Sequence, residues 1–204
     1  MNDSKTDAGG LDAQELLHLA LSAMENNRDA DAIGLLKRGL VLDPDDGRLH
    51  YLLGAVHAQL GMVERALAEL QRAVELAPEI EMAHFQLGLL HLTSGDVDAA
   101  RATWAALDEL GAEHPLSFFI SGMLHLVADE FDACIADLQR GIAVNEEHES
   151  LNRDMAKVID AAEQARIAAP KPPGEPPVAE TAAADTQHVL LAGYKPRLPP
   201  QTSA

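Results

Sequence analysis

Small and bulky apolar residues return in the same phase every 34 residues along most of the chain. Windows at 13–46, 47–80, 81–114 and 115–148 align four copies without an insertion. The eighth position reads Ala20, Gly54, Gly88 and Gly122, and the twentieth Ala32, Ala66, Ala100 and Cys134. The twenty-fourth is bulky (Leu36, Leu70, Trp104, Leu138), as is the thirtieth (Leu42, Leu76, Leu110, Val144). Two antiparallel helices need small side chains where their backbones approach and large ones beside them. Each window therefore predicts a helix A, a tight turn, a helix B and a short link. The turn residues Asn27, Gly61, Gly95 and Asp129 all tolerate the left-handed backbone that ends a helix. Pro44 and Pro78 follow helix ends, and Asp45, Asp46 and Glu79 suit the positive end of the helix that comes next. A fixed period of this size is the signature of a solenoid, in which each unit buries its apolar face against its neighbours.

A ninth helix is predicted within 149–169. Leu151, Met155, Val158, Ile159 and Ala162 fall along one stripe, and Arg153, Lys157, Asp160, Glu163 and Gln164 lie opposite. One apolar and one wet face is how the end of a solenoid is closed, so this segment reads as a capping helix.

The repeat positions resemble the tetratricopeptide repeat family, whose pattern asks for Leu-Gly at seven and eight, Ala at twenty and Pro at thirty-two. Leu53-Gly54 with Ala66, Ala73 and Pro78 match closely, as do Leu87-Gly88 and Ala100. Departures are Ala20 for glycine in the first copy, Ser121 and Cys134 in the fourth, and Ala112 and Glu146 where the closing proline belongs. The resemblance covers about two thirds of the chain. It implies an all-α fold, a right-handed α-solenoid of antiparallel helix pairs, and a binding scaffold whose partner the architecture does not name.

Outside the repeats the composition shifts. Residues 1–12 are polar with Gly9-Gly10 and are expected to be disordered, as is the Pro/Ala-rich stretch 170–204. That tail holds an apolar island at 189–194, with Leu190, Leu191 and Tyr194, followed by Pro196 and Pro199. The island reads as a candidate linear motif within tethered reach of the repeats, where it could occupy the groove until a partner displaces it. The net charge is −18 over 204 residues. The tail's Lys171, Lys195 and Arg197 balance Glu175, Glu180 and Asp185, so the deficit lies on the first 169 residues. An acidic surface repels phosphate backbones and anionic lipids, which argues against nucleic-acid partners and leaves basic or mixed-charge protein segments. The N-terminus lacks a basic region followed by an apolar run, and no stretch has membrane-spanning length. No membrane insertion and a cytoplasmic location are the expectation. The lone Cys134 leaves no intramolecular disulfide, and its small-residue position predicts a buried, inert thiol.

The resemblance assigns positions two, five, nine, twelve and thirteen of helix A to a concave groove. They are Gln14, Leu17, Leu21, Met24 and Glu25; Arg48, Tyr51, Ala55, Ala58 and Gln59; Met82, Phe85, Leu89, Leu92 and Thr93; and Leu116, Phe119, Met123, Leu126 and Val127. The expected groove is mixed at its start and strongly apolar toward its end. The Lys and Asn residues with which some members of the family hold a peptide carboxylate are absent, and Arg48 alone cannot replace them. His50 and His84 share position four, and His57, His91 and His125 share position eleven. Two histidines seven apart on one helix are separated by roughly 10.5 Å, too far for one metal ion. No phosphate-cradling loop, nucleophile elbow or calcium loop is present, so neither catalysis nor a cofactor is expected. The reading is a non-enzymatic adaptor binding a protein or peptide with apolar side chains and a basic flank. An assembly or secretion-type chaperone shielding an apolar client helix, and a self-associating structural module, stay open as alternatives.

Overall fold

The computed structural model describes Thr6 and residues 9–168, and every regular element among them is helical. The helices are α1 (Ala13–Glu25), α2 (Asp29–Leu42), α3 (Gly47–Gln59), α4 (Val63–Leu76), α5 (Glu81–Thr93), α6 (Val97–Trp104), α7 (Pro115–Val127), α8 (Phe131–Val144) and α9 (Glu149–Ala168). A 3₁₀ segment, Ala105–Leu110, follows α6 directly. The chain divides into two compact units, one ending at His91 and one starting at Leu92, so α5 contributes to both.

Every helix A stops by the same device. Asn27 (φ 55°), Gly61 (φ 71°), Gly95 (φ 87°) and Asp129 (φ 58°) take the left-handed backbone expected of them. The N–H of the following residue then reaches back over the turn, Arg28 to the Ala23 carbonyl at 2.8 Å, Met62 to His57 at 2.9 Å and Glu130 to His125 at 2.9 Å. A second bond runs from the turn residue itself, as from Gly61 to Ala58 at 3.0 Å. Two carbonyls that a helix end would strand are satisfied within three residues, and the chain reverses sharply enough for helix B to pack on helix A.

That packing depends on close approach at position eight. In the first unit, a Cβ on Gly54 would stand 2.8 Å from Leu70 Cγ and 3.1 Å from the Leu70 backbone nitrogen. In the second, a Cβ on Gly122 would stand 2.6 Å from Leu138 Cδ2, 2.7 Å from its Cγ and 3.3 Å from the Cys134 carbonyl oxygen. Ala66, Ala73 and Cys134 are buried beside these contacts. Burial, with the nearby Asp137 charge adding to it, pushes the Cys134 thiol up to about 12, so the protonated form dominates at neutral pH.

The first unit ends in a face that is polar by substitution. Leu49, Leu52, Leu53 and Val56 of α3 are buried, whereas the matching residues of α1 are Glu15, His18, Leu19 and Ser22, all exposed. Only Leu19, 45% exposed, is apolar among them. Glu15 is also committed to a capping box, accepting from the Asp12 N–H at 2.9 Å while Asp12 accepts from Glu15 at 2.8 Å.

In the second unit the third copy departs from the others. Its helix B is α-helical only to Trp104 and tightens to 3₁₀ until Gly111, which reverses the chain at φ 85°. Leu107 is buried in this segment, at the position where other copies place Gly39, Ala73 and Gly141. The change to 3₁₀ thus coincides with a large side chain at a position that is small in the other copies.

The cap packs through Leu151, Met155, Val158 and Ala162, with Ile159 half-buried. Asp154 is buried in the same stripe and is paired with Lys157 at 2.7 Å. An asparagine bridge ties α9 to α8. Asn145, buried, donates to Asn152 Oδ1 at 2.7 Å and to the His148 carbonyl at 3.2 Å, while Asn152 Nδ2 donates to the Asn145 carbonyl at 2.9 Å. Arg166 adds an ion pair to Asp132 at 2.7 Å.

Two outcomes test this packing. Gly122→Ala gains about 1 kcal/mol in helix propensity but forces its methyl onto the branch carbon of Leu138, which costs about 1–3 kcal/mol. A lowered melting temperature by circular dichroism is expected, and adding Leu138→Ala should cost less than in the parent chain. Asn145→Ala leaves Asn152 and the link unsatisfied, so a loss of about 1–2 kcal/mol is expected. Hydrogen exchange should place that loss in α9 before α8.

Candidate partner-binding surface

In the first unit, the positions assigned to the groove separate into a buried bed and an accessible rim. Leu17, Tyr51, Ala55, Phe85 and Leu89 are buried. Gln14, Glu25 and Arg48 are exposed, and Leu21, Met24, Ala58, Gln59 and Met82 are half-buried. The apolar atoms open to a partner here therefore belong mainly to Leu21, Met24 and Met82.

Arg48 is not a free cation. Asp46 caps α3, accepting from the Arg48 N–H at 2.9 Å, and its carboxylate also takes the guanidinium at both ends, Nε at 3.0 Å and Nη2 at 2.7 Å. Burial pushes the Asp46 carboxyl up, but the hydrogen bonds and charge of Arg48, with the Leu49 N–H, hold it below its ordinary value. The pair presents a neutral, planar surface rather than a carboxylate clamp.

Tyr51 and Gln86 meet across α3 and α5, the amide nitrogen donating to the phenol oxygen at 3.4 Å. Burial pushes the Tyr51 phenol above its ordinary range, so it stays protonated. Gln86 Oε1 is buried without a hydrogen-bond partner, which costs about 1–3 kcal/mol. The position-four histidines have a structural role that the sequence reading did not assign. His50 Nε2 donates to the Pro44 carbonyl at 3.0 Å, and His84 Nε2 to the Pro78 carbonyl at 3.2 Å. The signal was present in the sequence, because proline at thirty-two and histidine at the next position four recur together with the repeat.

In the second unit the groove positions are closed. Leu92, Thr93, Leu116, Phe119, Met123 and Leu126 are buried, and Val127 alone of this set is exposed, at 37%. Phe119 lies on the α8 backbone at Gly141, where an added Cβ would collide with its ring. The expectation of an open, strongly apolar end is thus corrected at these residues: they form the α7–α8 core and the start of the unit. Half-buried Phe118, Ile120 and Leu124 lie on other faces of α7. Leu190, Leu191, Tyr194, Pro196 and Pro199 of the candidate tail motif lie outside the described residues. No described helix is long and apolar enough to cross a membrane.

The family model for the tetratricopeptide repeat matches residues 17–79 and 63–115. No curated protein matches the chain. Among solved structures, the chain is similar to a thermophilic tetratricopeptide repeat protein of Thermus thermophilus, with 19% identity, a TM-score of 0.61, and 74% of this chain and 82% of that one covered. It is similar to YrrB, a tetratricopeptide repeat protein with an unusual peptide-binding site, at 26% identity and TM-score 0.53, covering 67% and 71%. A MamA fragment from Desulfovibrio magneticus RS-1 aligns at 16% identity and TM-score 0.54, over 74% and 89%. The chain is a tetratricopeptide repeat protein, and its described residues hold four successive helix pairs followed by a ninth helix.

Proposed function

We propose that the chain is a non-enzymatic scaffold whose first unit holds a partner segment on the accessible rim formed by Leu21, Met24, Arg48 and Met82. The observation that carries this reading is the division of inner positions into a fully buried bed and a half-open apolar rim. A buried bed of Leu17, Tyr51, Ala55, Phe85 and Leu89 keeps the rim preorganised, so that a partner does not bear the cost of ordering it. Methionine suits such a rim because its unbranched, polarizable side chain adapts to different apolar partners. The peptide-binding site of YrrB, a similar protein, supports a peptide as the class of partner.

The charge balance points to the sequence around the apolar anchor. With a net charge of −18 and Arg48 neutralised by Asp46, a segment with Lys or Arg beside its apolar residues is favoured over an acidic one. Three open apolar side chains suit a short segment better than a client helix that needs a continuous trough, which favours an adaptor over a helix-shielding chaperone.

A displayed peptide library selected on the intact protein tests the proposal. Selected peptides should carry an apolar anchor with a basic flank. The triple variant Leu21→Ser, Met24→Ser, Met82→Ser should bind them at least tenfold more weakly, by about 1.4 kcal/mol or more, while keeping its helical signal. Equal binding by this variant, or selection of acidic peptides, would remove the rim as the site.

A further inference from the structure

His57 occupies position eleven of the second repeat, on α3. It is 2% exposed, and neither ring nitrogen has a hydrogen-bond partner. The charges acting on the ring are Glu69 and Arg65 from α4 and Lys37 from α2. α5 meets α3 through the uncharged Gln86–Tyr51 pair. The one anion in this set is already engaged by His50 of the same helix, whose Nδ1 lies 2.7 Å from Glu69 Oε2 while its Nε2 holds the Pro44 carbonyl. A neutral imidazole fits this slot as an apolar ring would. A charged one would be desolvated, set beside two cations, and left to compete with His50 for Glu69.

The fourth repeat shows the same position built differently. His125 is half-buried, with Nδ1 bonded to Glu130 and Nε2 3.5 Å from Asp137, so a carboxylate faces each nitrogen. Position eleven thus holds a histidine with partners at His125 and a histidine without them at His57.

We propose that His57 is a proton-operated latch on the α3–α4 pair, closed while its ring is neutral and opened when the ring takes up one proton. Opening gives the imidazolium water on both nitrogens, at the expense of the Gly54–Leu70 contact that holds the two helices together. The direction in pH follows from the environment. Burial holds the closed ring below its ordinary value of about 6.5; Glu69 works against that, and Lys37 and Arg65 reinforce it. Above that ordinary value both states carry a neutral ring and the latch has its full strength. As pH falls below it the open state binds the proton first, and closure weakens by up to tenfold per pH unit until the closed ring itself titrates.

Hydrogen exchange of the full chain between pH 7.5 and 5, corrected for the intrinsic pH dependence of exchange, reads this directly. Protection in α3 and α4 should fall by at least tenfold, that of α8 and α9 should change by less, and the fall should vanish in both His57→Phe and His57→Leu. The wild-type protein supplies an independent reading, since the His57 ring resonances should titrate below the ordinary histidine value, at the pH where the loss of protection in α3 and α4 levels off. The latch is overturned if either folded His57 variant keeps the fall, if His50→Gln alone abolishes it, or if the wild-type His57 ring titrates at or above its ordinary value.

Discussion

Helix A can lie against helix B only where position eight offers no more than a small side chain. At Gly54 and Gly122 the space that a methyl would need is filled by the branch carbons of Leu70 and Leu138. This one approach sets the spacing of each pair and thereby decides which other side chains are buried. It also explains why repeats can share so little sequence elsewhere. Ala20 stands at the same position in α1 and is itself fully buried, so the first pair accommodates a methyl that the second and fourth do not.

Once the pairs are set, the inner positions of helix A answer to two demands at once. They fill the space between neighbouring helices, and in the proposed function those that stay accessible also meet a partner. In the second unit the first demand wins, with Phe119 driven onto Gly141 and Leu116, Met123 and Leu126 closed around it. In the first unit the chain places longer, flexible side chains at Met24 and Met82, which stay half-buried. A groove position is therefore a place on a helix, and its exposure depends on how large its neighbours are.

Much of this fold was legible from residue types alone. The four left-handed turns were readable because Asn, Asp and Gly carry the smallest penalty there, and the cap because its apolar stripe has helical spacing. The 3₁₀ segment was not, because Leu107 reads as one more apolar letter at a position where the other copies carry Gly39, Ala73 and Gly141. The split of inner positions into bed and rim was equally hidden, since Phe119 and Met82 look alike as apolar letters and differ only in what lies opposite. His57 was visible as a member of a periodic set. What sets it apart from His125 is the partner each ring finds, which periodicity does not encode.

The polar face of α1 has a consequence for how a molecule of this kind can change its length. A further helix pair stacked on that face would bury Glu15, His18 and Ser22, and it would break the capping box that starts the helix. Three polar groups stripped of water would offset most of what such a contact gains. The same cost applies to a second molecule docking end-on, so this face resists growth into a filament. A copy inserted between existing repeats avoids that cost, because the helix it would join carries apolar Leu49, Leu52, Leu53 and Val56 where α1 carries polar residues.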